Sequence, residues 1–352
     1  MNQQFTDRKK DHLRLSLLEE NEAKGSSLLD HVRLIPDSLP QLNLDEVKIG
    51  NPFFIAGMTA GHEQATAINF TLAKVAAQRG WLMGVGSQRR ELEQKNYADS
   101  SVVSLREKFP ALKLMANFGI TQLAELSHQQ QLSKITEIAE RMQVSFIAIH
   151  LNPLQEAIQT EGTPHFRGTL AALKNLIEIS KIPVVVKETG SGMSLVTLKK
   201  LTELKLAAVD VSGLGGTHWG RIEGARAPAE SISRALGETF QNWGISTVES
   251  VLNAKETLLA TTEIWATGGV RSGLDAAKLF ALGATRVGFA KPALEAAMQG
   301  EAALDTWMQK IEQALKVALF CTNSAQLSDL DRSKVQLLST ALLPMRGPHG
   351  SF

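Results

Sequence analysis

The sequence predicts an α/β fold: a closed (β/α)8 TIM barrel with an N-terminal arm and a long insertion between its sixth and seventh strands. Three observations predict it. Eight short apolar runs end in small or polar residues, and helix-like segments separate them. The runs are apolar throughout rather than alternating, which suits strands buried on both faces of a parallel sheet. The chain has 352 residues, a length that such a barrel can use as one domain. An open doubly wound sheet is the alternative, and it fits less well because no GxGxxG follows the first run.

Residues 1–50 form a lead-in that begins with a charged arm, DRKKDH (7–12). The eight runs are PFFIAG (52–57), WLMGVG (81–86), LKLMANF (112–118), SFIAIHL (145–151), IPVVVKE (182–188), AAVDVSG (207–213), EIWATGG (263–269) and TRVGFA (285–290). Residues 63–79 read as a helix ending at Gly80, a natural C-cap. Residues 129–142, 168–180, 194–205, 247–260 and 272–282 carry apolar residues at helical spacing. Ser272 with Asp275 marks the start of the last of these, and Gly283 its end. The interval after the sixth strand holds GTHWGRIEGARAP and an extra helix near 229–240. An insertion at the C-terminal end of a barrel strand is expected to act as a lid. Residues 291–320 read as terminal helices completing a barrel unit of 51–320, and 321–352 as a C-terminal tail.

Composition narrows the function classes. Hydrophobic residues make up 43%, enough for a large core, and Lys+Arg 37 against Asp+Glu 36 leaves a net charge of +1. That balance argues against nucleic acid or an anionic membrane as partner. The N-terminal MNQQFTDRKKDHLRL has no apolar signal core, and no run approaches the length of a membrane span. Cys321 is the only cysteine, so neither an internal disulfide nor a CxxC metal site is available. These features point to a cytoplasmic globular protein. Tyr97, the single tyrosine, is the only candidate for phenol chemistry.

Barrel chemistry sits where strands end and the following loops begin. The seventh and eighth runs end in ATGGVRSG and GFAK. Gly268 and Gly269 in a turn before a helix would present bare N–H groups to a phosphate, beside Arg271, Ala290 and Lys291. A plain tight turn is the competing reading. Lys187 ends the strongly apolar VVVK and should project into the pocket, where it can stabilise an anion, form a Schiff base or bind a carboxylate. The alternative is a structural ion pair with Glu188 or Asp210. HLNPLQE clusters His150, Asn152, Gln155 and Glu156. A histidine there can move protons near neutral pH, and Glu156 is the best single carboxylate for Mg²⁺. A satisfied buried histidine is the plainer reading. Arg8, Lys9 and Lys10 are either a solvated leader or an arm over a diphosphate, with Arg89 and Arg90 adding to the field. In GLGGTHW (213–219), Thr217 offers a hydroxyl, and Trp219 either walls a site or packs in the core.

Taken in order, RKKDH, AGMTAG, GSQR, HLNPLQE, VVVKETGSG, DVSGLGGTHW, TGGVRSGLDAAK and GFAKP resemble the type 2, FMN-dependent isopentenyl-diphosphate isomerases. The resemblance runs from about Thr6 to Leu294. It implies a (β/α)8 barrel that interconverts isopentenyl and dimethylallyl diphosphate with reduced FMN and Mg²⁺, NADPH being the usual reductant, and a homo-oligomer, often a tetramer or octamer. It implies flavin contacts from Met58, Thr59, Ser87, Asn117, Lys187, Ser212 and Thr217, and phosphate contacts around Gly268, Gly269, Arg271, Ala290 and Lys291. On the substrate side it implies Arg8 and Lys9, assisted by Ser87 and Arg89, with His150, Asn152 and Gln155 in the pocket and Glu156 on the metal. Gln155, His150 and Lys187 are the expected catalytic group, with reduced flavin as the stronger proton carrier.

Two stretches depart from the family pattern. Thr160-Glu161-Gly162-Thr163 replaces a Pro-Glu-Gly-Asp run, and His218 stands where a small residue is common. The alternative enzyme class is an FMN-dependent 2-hydroxy-acid oxidase on the same fold. It shares the lysine and the glycine turn but calls for a histidine base, an arginine pair and tyrosines. A nucleotide dehydrogenase with a cysteine nucleophile does not suit Cys321, which lies past the eighth strand. A non-catalytic phosphate-binding barrel has no need of HLNPLQE or RKK.

Overall fold

A computed structural model describes residues 3–58, 63–93 and 101–338. Thr59 and Tyr97 lie outside the described residues. The strands are β1 (Val32–Leu34), β2 (Phe53–Ile55), β3 (Leu82–Gly84), β4 (Lys113–Gly119), β5 (Phe146–Leu151), β6 (Val184–Glu188), β7 (Ala208–Asp210), β8 (Glu263–Ala266), β9 (Arg286–Phe289) and β10 (Val335–Leu337). β2 to β9 pair in parallel, in chain order, and β9 closes back on β2. Each of the eight apolar runs became one of these strands.

Alternate residues of the strands face opposite ways. Phe54, Leu82, Met115, Ala148, Val185, Ala208 and Trp265 fill the barrel interior as one cluster. Phe53, Ile55, Met83, Leu114 and Ile147 belong to the outer layer, beneath the helices. Trp265 packs its ring 5.2 Å from Phe54 and 5.1 Å from Phe146. A filled interior makes the barrel a packed core rather than a pore, so ligand space lies above it. Truncating Trp265 to alanine would cost about 3–5 kcal/mol.

Most expected helices formed, some shorter than their patterns. Residues 63–79 are helical as Glu63–Arg79, 272–282 as Gly273–Ala281, and 229–240 as Ile232–Thr239. The pattern over 129–142 covers only the helix Ser133–Arg141, and another helix, Ile120–His128, precedes it. Three further helices matter more for the site. The charged arm is the helix Gln3–Ser16, which buries Arg8, His12, Leu13 and Leu15. Within the insertion expected to act as a lid, WGRIEGAR forms the helix Trp219–Arg226. HLNPLQE ends β5 and starts the helix Pro153–Ile158, with Pro153 at its first position, where a missing N–H costs nothing. Beyond Cys321, the last residue of Glu301–Cys321, the chain still pairs through β10 with β1, Val32 opposite Leu337. The segment expected as a tail therefore contributes a strand to the fold as far as residue 337.

Candidate active site

A cavity of about 490 Å³ opens at the carboxyl ends of the barrel strands. That volume suits a cofactor or small-substrate pocket. The site residues expected from the sequence line it, apart from Lys10 and Arg90, which do not, and Thr59, which lies outside the described residues. Met58, Ser87 and Asn117 follow or end β2, β3 and β4; His150, Asn152, Gln155 and Glu156 come from β5 and its helix. Lys187 comes from β6, Ser212 and Thr217 from the loop after β7, and Gly268, Gly269, Arg271, Ala290 and Lys291 from the ends of β8 and β9. Arg8 and Lys9 reach the same cavity from the N-terminal helix, and Arg89 from the helix Arg89–Glu93.

One end of the cavity is a backbone cradle. Gly268 and Gly269 have φ of +96° and +73°, the left-handed region that suits glycine. A Cβ on Gly216 would lie 2.7 Å from the Gly269 nitrogen, so the loops after β7 and β8 touch only because both lack side chains. The helix Gly273–Ala281 follows, with Ser272 Oγ accepting from the Asp275 N–H at 3.1 Å. The helix Lys291–Met298 starts alongside. The glycine turn, the N-terminal ends of two helices, Arg271 and Lys291 together have the chemistry to receive a phosphate.

The strand ends beyond the cradle carry buried titratable groups. Lys187 and Asp210 are register partners on β6 and β7. Burial lowers the Lys187 pKa, while the charges of Asp210 and Glu188 oppose that change. Asp210 is pushed up to about 6 by burial, against the pull of Lys187 and of the Thr267 hydroxyl, which donates to it at 2.9 Å. Glu188 Oε2 instead accepts from the N–H groups of Gly190, Ser191 and Gly192 at 2.7, 2.6 and 2.7 Å. Those bonds brace the loop after β6.

His150 stands next to Lys187 in register. Its Nδ1 is 2.9 Å from Asn117 Oδ1. Burial, then the charges of Lys187 and Lys9, push its pKa down to about 3. The sequence reading expected a histidine that exchanges protons near neutrality. In its place is a ring that stays neutral, because a second positive charge there would be buried beside Lys187.

A polar chain runs along the opposite wall. Gln155 Nε2 donates to Glu223 Oε1 at 2.9 Å, and Asn152 Nδ2 donates to Gln155 Oε1 at 3.1 Å. Glu223 Oε1 also meets His12 Nε2 at 2.8 Å, and Glu223 Oε2 meets Arg226 at 3.1 Å. Burial would raise the Glu223 pKa, but His12, Gln155 and Arg226 outweigh it and hold it at about 2. Arg226 also pairs with Glu161, from the altered 160–163 stretch. His12 packs edge-on against Trp219, ring centroids 5.1 Å apart. Glu223 was not among the residues expected from the sequence. Four positions after Trp219 on a helix, it would have been found had GRIEGAR been read as helical.

Glu156 accepts from Asn152 Nδ2 at 3.0 Å, Gln159 Nε2 at 3.0 Å and the Thr163 N–H at 2.7 Å. A carboxylate has about four lone-pair sites, so it keeps capacity for a cation. Among the described residues no group of three or more His, Cys, Asp or Glu side chains is arranged to hold a metal ion. A single carboxylate fits Mg²⁺ completed by substrate oxygens and water, and does not fit an all-protein metal cage.

At the mouth, burial and then the charge of Arg8 lower the half-buried Lys9 to about 8. Glu22, also not expected, lines the cavity beside Lys291 and Arg271. His218 does not line it. Its Nδ1 accepts from the Arg221 N–H at 3.2 Å, and its Nε2 faces the Trp243 carbonyl at 3.1 Å. No helix among the described residues is long and apolar enough to cross a membrane.

A family model described as FMN-dependent dehydrogenase matches residues 96–337. The isopentenyl-diphosphate delta-isomerase of Bdellovibrio bacteriovorus is 45% identical over 347 residues, covering 95% of this chain and 98% of that protein. The enzyme of the same name from Legionella pneumophila strain Lens is 47% identical over 336 residues, covering 93% and 96%. Among solved structures, the flavin-binding domain of baker's yeast flavocytochrome b2 is similar with a TM-score of 0.67 at 14% identity, covering 97% of this chain and 86% of that one. At that identity the likeness shows the fold alone.

Proposed function

This chain belongs to the isopentenyl-diphosphate delta-isomerase family, within the FMN-dependent dehydrogenase group, and on that footing we propose that it interconverts isopentenyl and dimethylallyl diphosphate using reduced FMN and Mg²⁺. One observation carries the reading. The cations Arg8, Lys9 and Arg89 line the same cavity as the Gly268–Gly269 turn, so one pocket offers two separate phosphate-binding chemistries. A flavin mononucleotide and a diphosphate substrate need both.

The glycine cradle with Arg271 and Lys291 would hold the FMN phosphate. Lys187, Met58, Ser87, Asn117, Ser212 and Thr217 would surround the ring. When bound, reduced FMN supplies the acid–base chemistry for the alkene, with NADPH as the source of reduction. Lys187 favours an anionic ring by its charge. Arg8, Lys9 and Arg89 grip the diphosphate, and Glu156 would hold Mg²⁺ against it. The reaction adds a proton at the terminal alkene carbon and loses one from the carbon two bonds away, so atoms and electrons balance without net redox. Gln155 is oriented for this end of the substrate by Glu223 and Asn152. Neutral His150 acts as a hydrogen-bonding group. Trp219 and His12, with the N-terminal helix over the mouth, exclude water that would trap a cationic alkene. We further propose a cytoplasmic homo-oligomer, a tetramer or octamer.

The hydroxy-acid oxidase reading is disfavoured by His218. It is the histidine of the loop after β7, and its ring nitrogens face backbone groups rather than the cavity. The discriminating experiment is the visible spectrum of the purified protein, followed by two assays under reducing and aerobic conditions. Flavin absorbance with turnover of isopentenyl diphosphate, and none of lactate, supports the isomerase. The reverse pattern rejects it.

A further inference from the structure

We propose that Glu22 and the phosphate of the cofactor compete for Lys291 and Arg271, so that Glu22 sets how tightly the phosphate is held. The inference rests on the flavin reading above and deepens it. Glu22 Oε1 is ion-paired with the Lys291 ammonium, and Glu22 Oε2 lies 3.7 Å from Arg271 Nη2. All three residues line the cavity at the cradle end. The two carboxylate oxygens thus address the two cations that the cradle offers a phosphate.

Glu22 is held there by its backbone. It bridges Thr217 in antiparallel fashion, and its carbonyl accepts from Arg221 Nη1 at 2.8 Å. The neighbouring Ala23 N–H donates to the Gly216 carbonyl at 3.0 Å. The carboxylate is only 9% exposed, whereas Glu295, 3.8 Å from the same ammonium, is 48% exposed. Charge interactions are weakly screened in such a place. A phosphomonoester carries about −1.5 to −2 charge at neutral pH. Entering the cradle, it meets Glu22 as a like charge and as a rival for the same donors. Glu22 therefore holds the cation pair together and lowers phosphate affinity.

The test titrates FMN and riboflavin into flavin-stripped protein, followed by quenching of flavin fluorescence. Glu22→Gln keeps the shape and removes the charge. FMN should bind roughly tenfold tighter to it than to the unaltered protein, while riboflavin, which has no phosphate, binds both alike. FMN should also raise the melting temperature of Glu22→Gln by more than it raises that of the unaltered protein, because the unpaired cations gain a partner. Glu22→Ala should show the same two shifts, should the glutamine variant not fold. Equal or weaker FMN binding by the variants, or an equal gain for riboflavin, overturns the competition and leaves the flavin reading intact. Failure of the unaltered protein to bind FMN at all overturns both.

Discussion

The Nδ1 of His150 lies 2.9 Å from the Oδ1 of Asn117, and Asn117 Nδ2 donates to the Val85 carbonyl at 3.0 Å. The second bond fixes which way the amide faces. Its oxygen then requires a proton on His150 Nδ1 and leaves Nε2 as the lone-pair nitrogen. Nitrogen NMR of labelled histidine at pH 7 should find this tautomer, and Asn117→Ala should scramble it. Loss of the fixed tautomer should lower kcat/KM by about ten- to a hundredfold.

The same ring predicts an acid limb for stability. Unfolded histidine has a pKa of about 6.5, while burial and Lys187 hold His150 at about 3. As pH falls below about 6.5 the unfolded chain takes up a proton that the native chain refuses. The stability that the neutral ring contributes is full above that pH and is lost progressively toward pH 3. Between pH 5.5 and 4 the slope should exceed that of His150→Gln by about 1.4 kcal/mol per pH unit. Urea unfolding across this range measures it. The pH profile of kcat/KM should carry no His150 ionisation between about pH 5 and 8.

Glu223 gives a prediction of the opposite kind. Its carboxyl is held at about 2 against burial, below the ordinary glutamate value of about 4.3. It contributes stability present above that value and lost as pH falls toward 2. Glu223→Gln would leave Arg226 and His12 facing an uncharged amide in a buried site. Destabilisation of about 3 kcal/mol is expected by denaturant unfolding. Reduced kcat is also expected, because Gln155 loses its charged partner.

The barrel was legible because its strands are buried on both faces. Runs such as VVVK and FIAIHL can be little else, and their ends marked the pocket residues. What escaped reading did so for a physical reason. In the helix Trp219–Arg226 the glycines look like a loop, but Gly224 is there so that Gly237 of the next helix can approach. A Cβ on Gly224 would come within 2.7 Å of the Gly237 Cα. Glu223 was hidden with that helix. The arm read as charged because its sequence is charged, yet Arg8 and His12 are buried against partners far along the chain, which a local pattern does not contain. His150 was read as a proton carrier because its pKa depends first on burial and then on Lys187, a neighbour only across the sheet.

Lys187 should tune the flavin rather than only bind it. Lys187→Met removes a buried cation expected beside the ring. The reduction potential of the bound flavin should fall by at least about 30 mV, since for two electrons a tenfold loss of preference for the reduced form equals that shift. Spectroelectrochemical titration of the two proteins compares the values directly.

Glu156 should govern the metal requirement. Glu156→Gln keeps the size of the side chain but lacks the charge that Mg²⁺ needs. The Mg²⁺ concentration for half-maximal activity should rise by roughly tenfold or more. Chelation with EDTA should abolish activity of the unaltered protein, and added Mg²⁺ should restore it.

One cavity is proposed to move a double bond in a five-carbon diphosphate. Proton NMR of isopentenyl diphosphate in D2O, with the protein, FMN under reducing conditions and Mg²⁺, tests it most directly. Dimethylallyl diphosphate signals should grow, with deuterium entering the carbons that exchange protons. Isopentenyl diphosphate that stays unconverted and unlabelled, with flavin bound and reduced, would contradict it.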